Sequence, residues 1–235
     1  MTNFSGSTLP EFVGTTVLDT IGLVIPGIDS LLREEMKLPA HISALGLLSS
    51  RTGAAGQICA IDEAIKNTNT EIVSIELPRD TKGWGGHGNY IVIGGHDVSD
   101  CRRAIEIALE LTERNAGEVY ISAAGHLEFA YSASASHAIS KAFDIPLGKA
   151  FGFMAGSPAA IGLVMADSAM KSSAIKLTKY LTPTTTSHSN EVIIAFYGDA
   201  EACKTAVLRG REIGLTLLRT LGDDDPCGPS KPYLA

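Results

Sequence analysis

Two glycine- and hydroxyl-rich stretches hold most of the residues in this chain whose types and spacing could do chemistry. The first, Arg79 to Asn89, contains Gly83-Trp84-Gly85-Gly86-His87-Gly88, and the second, Thr182 to Glu191, contains Thr184-Thr185-Thr186-Ser187-His188-Ser189-Asn190. The glycines match the G-x-G-x-x-G spacing of a phosphate cradle, which works by opening a helix whose N–H groups meet the anion. Here the run Tyr90-Ile91-Val92-Ile93 follows and reads as a strand, so phosphate binding is not expected. His87 and His188 fall in corresponding stretches, but no cluster of carboxylates or cysteines accompanies them, and no metal is expected. What the stretches offer is hydroxyl, amide and bare backbone groups that can exchange hydrogen bonds with a neutral polar molecule. Trp84 either packs the first stretch down or faces such a molecule. Both stretches also read as plain hairpin connections, although the first is longer than the usual two to five or so residues. No Ser-His-Asp order or paired-carboxylate motif stands out, so no enzyme and no cofactor are expected. A small-molecule-binding enzyme or sensor of ferredoxin-like fold is the alternative.

The elements that must position these stretches occur twice. Asp62-Glu63-Ala64-Ile65-Lys66 returns as Asp167-Ser168-Ala169-Met170-Lys171, and the segment from Asp97 to Ile105 returns from Asp199 to Val207. The displacement is 105 residues at the lysines and 102 at the aspartates, so a three-residue difference is assigned to the intervening loop. A period of that size is a domain rather than a solenoid repeat. The expected division is a short segment over 1–11, domains over 12–116 and 117–221, and a mobile tail over 222–235, whose Gly222-Asp223-Asp224-Asp225-Pro226 can bury little.

Each half reads as strand, helix, strand, helix, strand, strand, helix. The first strands are placed at Phe12–Thr16 and Leu127–Tyr131, with helices around Ile28–Met36 and Ser136–Phe143, then strands at Ile42–Leu48 and Ala150–Met154. Ser157 is expected to cap the helix after it with its hydroxyl, Pro158 taking the first helical position, and Asp97 and Asp199 to cap the last helices. Cys101 and Cys203 fall on the apolar stripes of those helices and read as core residues. The fold class is α+β, with helices packed on mostly antiparallel sheets.

A formal charge of -7 without a basic block argues against a nucleic-acid partner, and the short apolar runs argue against a membrane span. No basic-then-apolar leader opens the chain, so a soluble, cytoplasmic protein is expected.

Three motifs carry a family resemblance. Gly46-Leu47-Leu48-Ser49-Ser50-Arg51-Thr52-Gly53, Ala60-Ile61-Asp62-Glu63-Ala64-Ile65-Lys66 and Gly95-His96-Asp97 recur in part as Ala166-Asp167-Ser168-Ala169-Met170-Lys171 and Gly198-Asp199, without the arginine. They resemble the signature of bacterial microcompartment shell proteins. The strand and helix ahead of each motif resemble the circularly permuted, tandem-domain branch of that family, of propanediol or glycerol utilisation type. With about ten residues before the first strand, the chain is similar to a short form, for which cargo tethering is not expected.

The resemblance implies two fused, ferredoxin-like, permuted BMC domains, a homotrimer mimicking a hexagon, neighbouring shell proteins as partners, and a compartment in the cytoplasm. It also implies that the two stretches line pores passing a small polyol such as 1,2-propanediol or glycerol. The lining residues would be Arg79, Asp80, Lys82, Gly83, Trp84, Gly85, Gly86, His87 and Asn89 with Thr184, Thr185, Thr186, Ser187, His188, Ser189, Asn190 and Glu191. Lys66 and Lys171 would stand at the tile edge.

Overall fold

A computed structural model describes residues 10–79, 87–186, 188–222 and 225–235. The first half runs β1 (Glu11–Thr16), β2 (Thr20–Ile25), α1 (Ser30–Glu35), β3 (Ala44–Ser50), α2 (Ala55–Lys66), β4 (Thr70–Glu76), β5 (Asn89–Gly95) and α3 (Val98–Asn115). A 3-10 turn at Ala116–Glu118 leads into the second half: β6 (Val119–Ser122), β7 (Gly125–Ser132), α4 (His137–Phe143), β8 (Ala150–Ser157), α5 (Ala159–Ser172), β9 (Ile175–Leu181), β10 (Val192–Gly198) and α6 (Ala200–Leu218). The sheets are ordered β1-β2-β3-β5-β4 and β6-β7-β8-β10-β9, and their pairs are antiparallel. Apolar positions at helical spacing, Cys101, Ala104, Ile105 and Ala108 in α3 and Cys203, Ala206 and Val207 in α6, are buried. The repeat extends to single atoms: Cys101 Sγ donates to the Ala44 carbonyl and Cys203 Sγ to that of Ala150, each at 3.5 Å. Burial pushes both thiols up to about 11, with nearby aspartates adding to the effect.

Several expectations from the sequence are corrected. Each half opens with a hairpin, not a single strand, and Leu127–Tyr131 lies in β7, the counterpart of β2 rather than β1. The β1–β2 turn gave no glycine signal because Leu18 and Asp19 supply its left-handed residues, at φ 60° and 53°. Ser157 does not cap α5. It ends β8, Pro158 sits at the N-cap, and the Ala159 N–H donates to Asn190 Oδ1 at 3.2 Å. Asp97 and Asp199 do stand at N-cap positions, but neither side chain makes the capping bond. The β4–β5 connection covers 77–88 and the β9–β10 connection 182–191, a difference of two residues; the third lies between β5 and α3.

The expected mobile tail is packed over its described part. Cys227 pairs with Ile121 at the edge of the second sheet through bonds of 3.0 and 3.2 Å, and Leu234 is buried in the core of that half.

The halves share a core. Ile58, Ile61 and Ile105 of the first half cluster with Ala138, Ile139, Phe143, Phe151 and Phe153 of the second. Two carboxylates cross this joint in opposite directions. Asp62, buried in α2, accepts from the Ser136, Ala138 and Ile139 N–H groups at the start of α4, at 2.9 to 3.2 Å. Glu128, buried in β7, accepts from Ala54 and Ala55 at the start of α2, at 3.0 and 2.8 Å. Burial pushes the Glu128 carboxyl above its ordinary range, and those two N–H groups oppose the shift. Asp62→Ala orphans three donors at once, so we expect a loss of about 2–4 kcal/mol in urea-unfolding stability. A variant with unchanged midpoint and slope would remove Asp62 from this role.

Candidate functional site: the paired loops

The sequence stretches become neighbours because β4–β5 and β9–β10 are equivalent hairpins of adjoining domains. Arg79 bridges His87 across the base of the first connection, and the Gly88 N–H donates to the Pro78 carbonyl at 2.9 Å. In the second, the Thr186 hydroxyl donates to the Thr182 carbonyl at 3.0 Å, and Ser189 Oγ packs 3.0 Å from Thr186 Oγ1. His188 takes a left-handed conformation, φ 64°, where the chain reverses.

Glu191 ties the two connections together. Its Oε1 is in contact with His87 Nδ1 and accepts from Ser189 Oγ at 2.7 Å, while Oε2 stands 3.3 Å from His126 Nε2 on β7. Burial pushes this carboxyl up, but the bonds to His126 and His87, the charge of His87 and the Ser189 hydroxyl outweigh burial and bring it down to about 2. The cluster joins a loop of the first domain to a strand and a loop of the second. Among the described residues no group of three or more His, Cys, Asp and Glu is arranged to hold a metal ion.

The expected lining residues therefore separate. Arg79, Thr184, Thr185, His188 and Asn190 are exposed. Thr186, Ser189 and Glu191 are buried, and so is Asn89, whose amide donates to Ser50 Oγ at 2.9 Å and the Gly53 carbonyl at 2.8 Å. These four hold the loops and do not present side chains to a passing molecule. His87 belongs with them by its contact with Glu191. Asp80, Lys82, Gly83, Trp84, Gly85, Gly86 and Ser187 lie outside the described residues.

The edge lysines also divide. Lys66 Nζ meets Asp62 at 3.1 Å and Glu63 at 2.6 Å and donates to the Ser134 carbonyl at 3.0 Å, so its ammonium is engaged at the internal joint. Lys171 pairs with Asp167 at 2.6 Å on an exposed helix face. His126 and Glu128 are the residues that sequence reasoning missed. The available signal was two ionisable side chains at i and i+2 in an apolar strand, hence on one face of it.

Duplicated antiparallel domains, joined by a buried seam and carrying paired connections at corresponding places, define a tandem scaffold. The chain belongs to the BMC domain family, which matches residues 44–124 and 150–221. It is 52% identical over 92% of its length to the bacterial microcompartment shell protein PduB of Citrobacter freundii, covering 80% of that protein. To PduB of Limosilactobacillus reuteri it is 46% identical, over 94% of this chain and 93% of that one. A crystal structure of a trimeric bacterial microcompartment shell protein PduB superposes with a TM-score of 0.90 at 44% identity, over 96% of this chain and all of that one.

A carboxyl held below its ordinary value of about 4.5 stabilises the fold above that pH, and the contribution is lost as pH falls toward about 2. Glu191 should therefore account for up to about 3 kcal/mol that disappears over this window. Glu191→Gln is expected to be less stable at pH 7, with a flatter acid-unfolding profile between those limits. Parallel profiles for variant and parent would reject the assignment.

Proposed function

We propose that this chain is a structural subunit of a bacterial microcompartment shell of the propanediol-utilisation type, housed with its compartment in the cytoplasm. Three copies close into a ring of six similar domains that tiles the shell beside other shell proteins. The similarity to PduB proteins over nearly the whole chain supports the shell role.

The observation that carries the closure is an unpartnered copy of the internal joint. On α2, Ile58, Cys59 and Asp62 are buried against the second domain and Lys66 bonds to it. The repeat places Leu163, Val164, Asp167 and Lys171 at the corresponding positions of α5. There Leu163 is 50% exposed and Val164 45%. The partner helix shows the same asymmetry. Ala138 and Ile139 of α4 are fully buried, whereas Leu31 and Leu32 of α1 are 72% and 46% exposed. A second copy placing α1 on α5 would cover all four large side chains, each gaining the still-exposed part, about half or more, of the roughly 1.5–3 kcal/mol of full burial. The α1 N–H groups that Asp167 would cap are already taken by Asp29, at 2.9 Å to Leu31 and 3.3 Å to Leu32. Two carboxylates then meet at this joint, and Lys171 is their counter-ion. Lys171 is thus a joint residue like Lys66.

Through the assembled ring, Arg79, Thr184, Thr185, His188 and Asn190 line a passage for small polar metabolites such as 1,2-propanediol or glycerol. Hydroxyls and amides there replace the water lost by a polyol better than that lost by an aldehyde.

Sedimentation equilibrium of the parent protein should give three chains, and electron microscopy hexagonal sheets. A monomeric parent would overturn the tile reading. Leu31→Glu with Leu32→Glu should dissociate the ring and leave circular dichroism unchanged, because α1 buries no residue. In a Cys227→Ser background, Asp29→Cys with Asp167→Cys should form reducible links between chains. A trimer that neither dissociates nor cross-links would place the joint elsewhere.

A further inference from the structure

The segment from Cys227 to Leu234 lies in a groove built to read a peptide backbone. Glu118, fully buried, is held by Arg211 Nη1 at 3.1 and 2.9 Å and accepts from Tyr120 Oη at 3.3 Å. Its Oε1 then takes two successive backbone N–H groups, from Tyr233 at 2.9 Å and Leu234 at 2.8 Å, while Arg211 donates to the Leu234 carbonyl at 2.9 Å. A carboxylate and a guanidinium thus grip one dipeptide by its main chain, with charge-assisted bonds on both sides. The path is open only because two positions lack a Cβ. A methyl group at Gly117 would strike the Lys231 carbonyl, and one at Gly228 the Val119 carbonyl.

Side chains add selectivity. The Tyr233 hydroxyl accepts from the Tyr131 N–H of β7 at 3.3 Å, and its ring lies 5.5 Å from the Arg114 guanidinium of α3. Leu234 is 7% exposed. Arg114 belongs to the first domain and Tyr131, Glu118 and Arg211 to the second, so one tyrosine touches both. Beside it lies a cavity of about 740 Å³, lined by Cys59, Glu63, Arg114 and Tyr131 among others and by Tyr233 and Leu234 themselves.

We propose that this groove is a peptide-binding site whose ligand is the chain's own Lys231–Leu234 segment, bound as a strap across the two domains. Recognition resides in the dipeptide Tyr-Leu, whose two successive N–H groups converge on one carboxylate oxygen. The masking of Glu118 follows from it, since without the strap this buried carboxylate loses two of its donors. The proposal does not depend on the shell reading; it needs only the two domains and the groove.

The test removes the strap and returns it as a separate molecule. A chain ending at Ser230 should melt about 5 °C or more below the full chain. The synthetic peptide Ser-Lys-Pro-Tyr-Leu-Ala should bind it saturably in fluorescence anisotropy and restore much of the lost melting temperature. The same peptide with alanine for tyrosine should bind about tenfold more weakly or worse, and the full chain, its groove occupied, should bind neither. If the shortened chain does not fold, full-length Tyr233→Ala with Leu234→Ala serves as the receptor, because it keeps the backbone linkage while weakening the grip. Melting temperatures equal to the parent in both variants, or no binding of the peptide at millimolar concentration, would overturn the proposal.

Discussion

Buried carboxylates at the seam between the two domains are the constraint on which the rest of the structure depends. A carboxylate taken out of water is costly unless donors replace the water, and helix N-termini are the richest source of unpaired N–H groups in a protein. Asp62 and Glu128 each use the helix start of the other domain, one pointing forward and one back. Each domain therefore relies on the other for backbone donors to a buried carboxylate. The shared apolar cluster makes the seam favourable, and the reciprocal caps fix its register, since sliding by one residue would strand both carboxylates.

The same logic explains why related ends of the chain are treated differently. Where Glu128 caps α2, the corresponding helix α5 has Pro158, without an N–H, at its N-cap, and Asn190 satisfies the next donor. Where Asp62 caps α4, Asp29 caps α1 from within its own segment. The internal seam is permanent and can rely on partners far away in sequence. The faces that stay open in a single chain carry caps from within their own domain instead, so each is satisfied without the other domain.

Around the paired connections, the same economy of buried charge gives Glu191 its two histidines and its serine. A polar cluster with this many partners positions loops rigidly, because displacing one member leaves the others unpaired. Among the described residues, the exposed side chains of the expected lining are Arg79 at the base of the first connection and Thr184, Thr185, His188 and Asn190 in the second. Glu118 repeats the pattern on the opposite end of the second domain's first hairpin, with backbone N–H groups of the returning segment as its donors.

Much of this was present in the sequence. The duplicated Asp62–Lys66 and Asp97–Ile105 segments established two similar domains, and apolar periodicity placed the long helices and central strands, because those signals depend on each element's own burial pattern. The buried cysteines followed from the same stripes. What periodicity could not supply was anything whose partner lies far away along the chain. Ser157 looked like a cap by its local neighbours, but the strand continued through it. Residues 222–235 looked unable to fold because their few apolar groups have no local companions, yet Leu234 and Tyr233 find them in the second core and on α3. Asn89, Thr186, Ser189 and Glu191 were polar residues in glycine- and hydroxyl-rich loops, which by composition alone belong to solvent. Composition determined which chemical groups this protein has to offer, and the tertiary structure decided which of them are consumed in holding it together, because a hydrogen bond spent on a distant partner leaves no trace in local spacing.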